Sequence, residues 1–224
     1  MLRVVTQNLN GIRSAARKGW LEWISAQQAQ VVCVQEVKAQ LDDLDDGMDW
    51  LVGQGIVDSK RVCIAGASYG GYAALWGATR NPERYRCAAS FAGVSDLGRQ
   101  LKYQLAFAIS KRYRKDWRKT VQGSDKFDPR TVSPLYTVDQ LKVPVLVVHG
   151  DADQTVPFKQ SKLYVEALQK AGKIHEFSSF KDEGHGFSTS ANLEDWLTRL
   201  GAFLARYNPA DTAEQIVTAP SASK

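Results

Sequence analysis

A serine, a carboxylate and a histidine occur along this chain in settings that suit acyl transfer. Ser68 lies in Gly66-Ala67-Ser68-Tyr69-Gly70-Gly71, between the apolar run Arg61-Val62-Cys63-Ile64-Ala65 and the helix-like stretch Tyr72-Ala73-Ala74-Leu75-Trp76. This is the strand, sharp turn, helix context of a G-x-S-x-G nucleophile elbow. The glycines let the backbone enter a strained turn, which pushes the serine hydroxyl out beside the N-terminus of the following helix. A Gly- and Ser-rich turn without catalytic purpose has the same composition. The residues downstream separate the two readings.

Val143-Pro144-Val145-Leu146-Val147-Val148 reads as a fully buried strand, followed by the loop His149-Gly150-Asp151-Ala152-Asp153-Gln154-Thr155-Val156-Pro157. Further on, Ile174 to Phe180 alternates as a strand and leads into Asp182-Glu183-Gly184-His185-Gly186-Phe187. A serine is a weak nucleophile until an imidazole takes its proton, and a carboxylate must fix the imidazole tautomer. Ser68, Asp153 and His185 are the candidates for nucleophile, acid and base, in the chain order Ser, Asp, His of α/β-hydrolases. Asp151 competes with Asp153 for the acid, and either aspartate also reads as a turn former. His149 reads as a loop-positioning hydrogen-bond donor and His175 as a strand-face residue, so neither receives a catalytic role.

These motifs resemble the prolyl oligopeptidase family of serine peptidases, from about Leu41 to about Tyr207. The resemblance rests on Asp42-Asp43-Leu44-Asp45-Asp46-Gly47-Met48-Asp49-Trp50-Leu51 leading to the Ser68 elbow, on Ser133-Pro134, on His149 to Asp153 with Val156-Pro157, and on Glu183-Gly184-His185-Gly186. It implies Ser68, Asp153 and His185 as the triad, with the Tyr69 amide as an oxyanion donor. It also implies a His-Gly-Gly type loop and an upstream tyrosine for the oxyanion, which have no counterpart in the sequence.

The first forty residues read differently. Met1 to Arg13 and Val31-Val32-Cys33-Val34-Gln35-Glu36-Val37-Lys38 resemble the opening of exodeoxyribonuclease III and related apurinic endonucleases. In that resemblance Asn8 and Glu36 fall on positions that help bind a divalent cation, for which hard oxygen ligands are suited. The later histidine, aspartate, asparagine and tyrosine of that family have no counterpart, so Asn8, Asn10 and Glu36 read more simply as a strand-end turn and a solvated carboxylate. The sequence therefore suggests a fusion with its join near Ala39-Gln40-Leu41.

Composition sets the remaining bounds. With 224 residues, 44% of them hydrophobic, the chain buries a full core as one domain. Its three cysteines, Cys33, Cys63 and Cys87, sit in apolar strand-like runs and read as small hydrophobes rather than a disulfide framework. No signal-type segment and no eighteen-residue apolar run occurs, so the expectation is a cytoplasmic protein that does not enter membranes. The net charge of +5 concentrates in Arg99, Lys102, Lys111, Arg112, Arg114, Lys115, Arg118 and Lys119. Tyr103, Leu105, Ala106, Ile109 and Tyr113 interleave at helical spacing, so this segment reads as the solvated face of an amphipathic helix rather than a nucleic-acid site.

The expected fold class is α/β, an incomplete α/β-hydrolase-like fold with a mainly parallel sheet, helices on both faces and an N-terminal β-α-β unit. Strands are predicted at 2–8, 31–35, 61–66, 86–91, 143–148 and 174–180, the first two capping the sheet edge that missing hydrolase strands would leave open. Helices are predicted at 15–28, 42–54, 70–80, 99–117, 158–171 and 191–206. Residues 1–40 form the endonuclease-like segment, 41–207 the partial hydrolase domain and 208–224 a disordered tail. The expected function is hydrolysis of a peptide or small ester through an acyl-enzyme, with no cofactor. A metal-dependent endonuclease or nucleic-acid-binding fragment and a non-catalytic scaffold are the alternatives.

Overall fold

The computed structural model describes residues 4–9, 11–27, 31–35, 41–55, 57–106 and 127–209. The chain divides into two compact units, Met1–Asp58 and Ser59–Ser223.

In the first unit, β1 (Val4–Asn8) and β2 (Val31–Gln35) pair in parallel, in register from Val4↔Val31 to Asn8↔Gln35. The crossover predicted as one helix is two, α1 (Ile12–Arg17) and α2 (Trp20–Ala26). Gly19 breaks it at φ 83°, a left-handed conformation that glycine enters without a Cβ clash. The Trp20 Nε1–H donates to Gln7 Oε1 at 3.0 Å, tying α2 to β1. Helix α3 (Leu41–Gly53) follows.

The second unit holds a four-stranded parallel sheet in the order β3 (Cys63–Ala67), β4 (Cys87–Phe91), β5 (Val145–Gly150), β6 (His175–Phe180). The six predicted strands thus form two sheets instead of one, because β1 and β2 take each other as ladder partners. Helices α4 (Tyr69–Arg80), α5 (Leu97–Ala106), α6 (Lys159–Lys170) and α7 (Ser190–Tyr207) flank the four-stranded sheet on both faces. The predicted helix 99–117 is seen as α5, its remainder lying outside the described residues, as does the tail beyond Pro209.

Side-chain alternation along the strands builds the core. Cys87, Ala89 and Phe91 of β4, Leu146 and Val148 of β5 and Phe180 of β6 cluster with Phe203 of α7, which is wholly buried. Burial of a side chain such as Phe203 contributes roughly 1.5–3 kcal/mol. Strand β5 is buried along its whole length, as its unbroken apolar run requires.

The cysteine reading needs correction: Cys63 and Cys87 form a disulfide between β3 and β4. The two are register partners on neighbouring parallel strands, which puts their side chains on one face with Cα atoms 4.7 Å apart, within disulfide reach. Apolar surroundings and disulfide formation are compatible. Only the strand register, which spacing does not disclose, distinguishes them.

Candidate active site

Ser68 follows the last residue of β3 and caps α4 at φ 57° and ψ −119°. A non-glycine residue there is strained, and it is held by its neighbours: its amide donates to the Phe91 carbonyl at 2.9 Å, and its carbonyl accepts from Tyr72 at 3.0 Å. The turn is tight enough that a Cβ on Gly66 would lie 2.3 Å from the Gly70 carbonyl. Tyr69 opens α4, so its amide is one of the orphan donors of a helix N-terminus. The Tyr69 side chain is 61% exposed.

Two further loops converge on this turn. His185 Nε2 lies 2.8 Å from Ser68 Oγ, and His185 Nδ1 lies 2.7 Å from Asp153 Oδ2. The imidazole is 26% exposed and the carboxylate wholly buried. The other Asp153 oxygen accepts from the Thr155 amide at 2.8 Å and the Val156 amide at 3.0 Å. Burial alone pushes this carboxyl up, but the hydrogen bonds from His185, Val156 and Thr155 outweigh it and hold it below the usual carboxylate range. Asp151, by contrast, is exposed and accepts from the Asp182 amide at 2.7 Å. The structure thus brings together Ser68, His185 and Asp153, and leaves Asp151 outside the relay.

Glu183, Gly150, Phe187 and Gln160, to which the sequence assigns no individual role, position this relay. Glu183 is buried, and its carboxylate accepts from the Ser188 amide at 2.7 Å and from Asn192 Nδ2 at 2.6 Å, pinning the His185 loop to the start of α7. Its backbone carbonyl accepts from the Ala152 amide at 3.0 Å. Gly150 makes that approach possible, since a Cβ there would sit 2.3 Å from the Glu183 carbonyl oxygen. On the other side of His185, Phe187 stacks on Phe91 at 4.7 Å and meets the edge of Phe180 at 5.1 Å. Gln160 of α6 is buried and binds the loop after β4, accepting from the Ser95 and Asp96 amides at 3.1 and 2.8 Å. His149 is also buried, beside Asp153; His175 holds the Lys173 carbonyl at 2.8 Å.

A cavity of about 520 Å³ lies between α5 and residues 128–136, lined by Asp96, Arg99, Lys102, Arg130 and Tyr136 among others, with no member of the relay in its wall. Among the described residues no group of three or more His, Cys, Asp or Glu is arranged to hold a metal. Of the weak metal candidates, Asn8 ends β1, while Asn10 and Glu36 lie outside the described residues. Lys111 to Lys119 of the basic segment also lie outside them. Among the described residues no helix is long and apolar enough to cross a membrane.

A parallel sheet with a strained serine at one strand end, and an imidazole and a carboxylate at two others, defines an α/β-hydrolase-like protein. A model of the prolyl oligopeptidase family matches residues 29–209. The chain belongs to that family. It is 34% identical over 169 residues to dipeptidyl aminopeptidase BIII of Pseudoxanthomonas mexicana, covering 74% of this chain and 24% of that protein. It is 26% identical over 206 residues to dipeptidyl-peptidase 5 of Porphyromonas endodontalis, covering 91% of this chain and 28% of that protein. Among solved structures, a puromycin-hydrolyzing peptidase of Mycobacterium tuberculosis superposes with a TM-score of 0.67 at 26% identity, over 76% of this chain and 25% of that one. The chain thus spans about a quarter of the length of the relatives it matches.

These matches overturn the endonuclease reading of residues 1–40. The family match begins at residue 29, ahead of β2, and extends across the expected join to residue 209, and the alignment with dipeptidyl-peptidase 5 takes in 91% of the chain. The chain is one continuous peptidase-type sequence over nearly its whole length, not a fusion. The physical reason for the error is plain: two short apolar strands with polar ends and a helix between them are common to many α/β folds.

Proposed function

We propose that the chain hydrolyses an acyl bond, in a peptide or a small ester, through an acyl-enzyme on Ser68. The observation that supports this most directly is the unbroken relay from Ser68 Oγ through His185 to Asp153, at 2.8 and 2.7 Å, on a serine held at positive φ. Ser68 Oγ attacks the carbonyl carbon while His185 Nε2 takes its proton. Asp153, ionised and immobile, keeps the His185 proton on Nδ1 and stabilises the imidazolium. The same proton then goes to the departing amine or alcohol as the carbonyl re-forms. Water, deprotonated by His185, releases the acid product and restores Ser68.

The Tyr69 amide supplies one donor to the oxyanion, at the position where the α4 dipole also favours negative charge. The similarity to a dipeptidyl aminopeptidase and to a puromycin-hydrolyzing peptidase supports peptide-like amides as the substrate class. A cytoplasmic site of action requires the Cys63–Cys87 bond to be reduced there, because cytosolic thiols are kept reduced.

Labelling with a fluorophosphonate probe tests the activated serine. The parent chain is expected to label, Ser68→Ala to lose the label, and His185→Ala to retain only a small part of it. Labelling that survives Ser68→Ala refutes the nucleophile.

A further inference from the structure

The relay continues past its carboxylate. Asp153 Oδ2, which meets His185 Nδ1 at 2.7 Å, also lies 3.1 Å from Nε2 of His149, a ring with no exposed surface. The partners of His149 fix its tautomer. Nε2 is 2.9 Å from the Val156 carbonyl, which can only accept, so the ring proton sits on Nε2 and is shared between Val156 O and Asp153 Oδ2. Nδ1 is 2.7 Å from the hydroxyl of Ser161 on α6, and it accepts that proton. Burial pushes the ring below the usual histidine range, against the opposing pull of the Val156 carbonyl and Asp153, so the ring stays a neutral donor at neutral pH.

We propose, building on the hydrolase reading above, that His149 is a positioning residue for the relay: its Nε2–H holds Asp153 Oδ2 toward His185 and tempers that oxygen's pull on the His185 proton. The two backbone amides on Oδ1 fix one end of the carboxylate. His149 fixes the end that faces the base. A carboxylate oxygen bonded to two N–H donors offers less negative charge to either than one bonded to a single donor, so His149 limits how firmly the imidazolium is held.

The groups around the network are few. His149 faces Asp153 and His185 as its titratable neighbours, with Ser161 from α6, Ser179 as its register partner on β6, and the edge of the Phe158 ring at 5.7 Å. Lys159 and Lys162 of α6 are exposed. On the His185 loop, Asp182 is exposed beside Lys181, and the Glu183 carboxylate is engaged by Ser188 and Asn192. Asp151 is taken by the Asp182 amide.

The test compares the pH dependence of kcat/KM for p-nitrophenyl ester hydrolysis by the parent chain, His149→Phe and His149→Gln. With the donor removed in His149→Phe, Oδ2 binds the imidazolium more tightly, and the acid limb is expected to move to higher pH by about half a unit or more. His149→Gln, which restores an N–H near the Nε2 position, is expected to return the limb toward the parent value. An acid limb that stays in place while turnover falls overturns the proposal, since packing damage lowers rate without moving the limb. A ¹⁵N spectrum of the histidine rings of the parent chain, which has three histidines, needs neither activity nor a folded variant. A neutral Nε2–H ring at His149 at neutral pH is the expected result; a charged ring or an Nδ1–H tautomer there overturns the proposal. Loss of Ser68-dependent labelling in the parent chain refutes the hydrolase reading instead and leaves the spectrum to decide His149 alone.

Discussion

Replacing Asp153 by asparagine asks the most of the geometry, because the change is nearly isosteric and its consequence depends on which atom goes where. The carboxylate receives four donors: the Thr155 and Val156 amides on Oδ1, and His185 Nδ1 and His149 Nε2 on Oδ2. An asparagine has one acceptor oxygen. The two backbone amides cannot reverse direction, so they claim it, and the Nδ2 group then faces His185. To avoid two opposed N–H groups the imidazole moves its proton to Nε2, where it donates to Ser68 instead of accepting. The base is lost while the fold retains its Oδ1 contacts. In the chymotrypsin-type triad this tautomer error lowers kcat by ~10⁴, equivalent to about 5 kcal/mol of transition-state stabilisation. Asp151→Asn keeps an acceptor for the Asp182 amide on an exposed loop and is expected to stay within about threefold of the parent. The assay is ester hydrolysis at pH 8 on both variants, with thermal unfolding run alongside. Asp153→Asn is expected to cost roughly 1–3 kcal/mol of stability, for one imperfectly paired buried group. If Asp151→Asn loses the activity and Asp153→Asn retains it, on equally folded proteins, the assignment of the acid is wrong.

Gly66→Ala places a Cβ 2.3 Å from the backbone of Gly70, and no rotamer relieves a backbone clash; a loss of at least ~1–3 kcal/mol in denaturant unfolding and of fluorophosphonate labelling is expected, and an unchanged unfolding midpoint would contradict the elbow geometry. The chain contains three cysteines, two of them joined, so alkylation under denaturing conditions without reductant is expected to modify one and, after reduction, three; three alkylations in both cases would show Cys63 and Cys87 to be free.

Much of the second unit was legible because its signals are local. The unbroken apolar run of β5, the period of the helices and the glycine turn around Ser68 each specify an element from neighbouring residues alone. Predicted and observed strands there differ by no more than two residues at either end. Ser68, Asp153 and His185 are legible as candidates because each lies in a loop that follows a strand at its carboxyl end, and the structure brings these three side chains together. Asp151 and Asp153 were harder to separate, for two residues of spacing do not say which carboxylate turns inward. The amides of Thr155 and Val156 decide that, by folding back onto Asp153.

What escaped the sequence depends on pairing between distant residues. A one-residue shift of β3 against β4 would put Cys63 and Cys87 on different faces, so the disulfide is a property of register and not of composition. Glu183 and Gln160 look like ordinary polar residues in the chain, and His149 is readable there only as a loop-positioning donor with no partner specified, yet each is buried and each ties one loop of the site to another element. An unpaired polar group at these depths would cost roughly 1–3 kcal/mol, so their burial is tolerable only because the partners are in place. The loops that carry Ser68, Asp153 and His185 are therefore fixed by mutual constraint. Gly150 lets the acid loop touch the backbone of the base loop, Glu183 fastens the base loop to α7, and Phe187 roots it in the core that β4 shares with the nucleophile turn. A substitution in any of these ties shifts the base relative to the serine without touching either, which places the precision of the relay in the packing behind it.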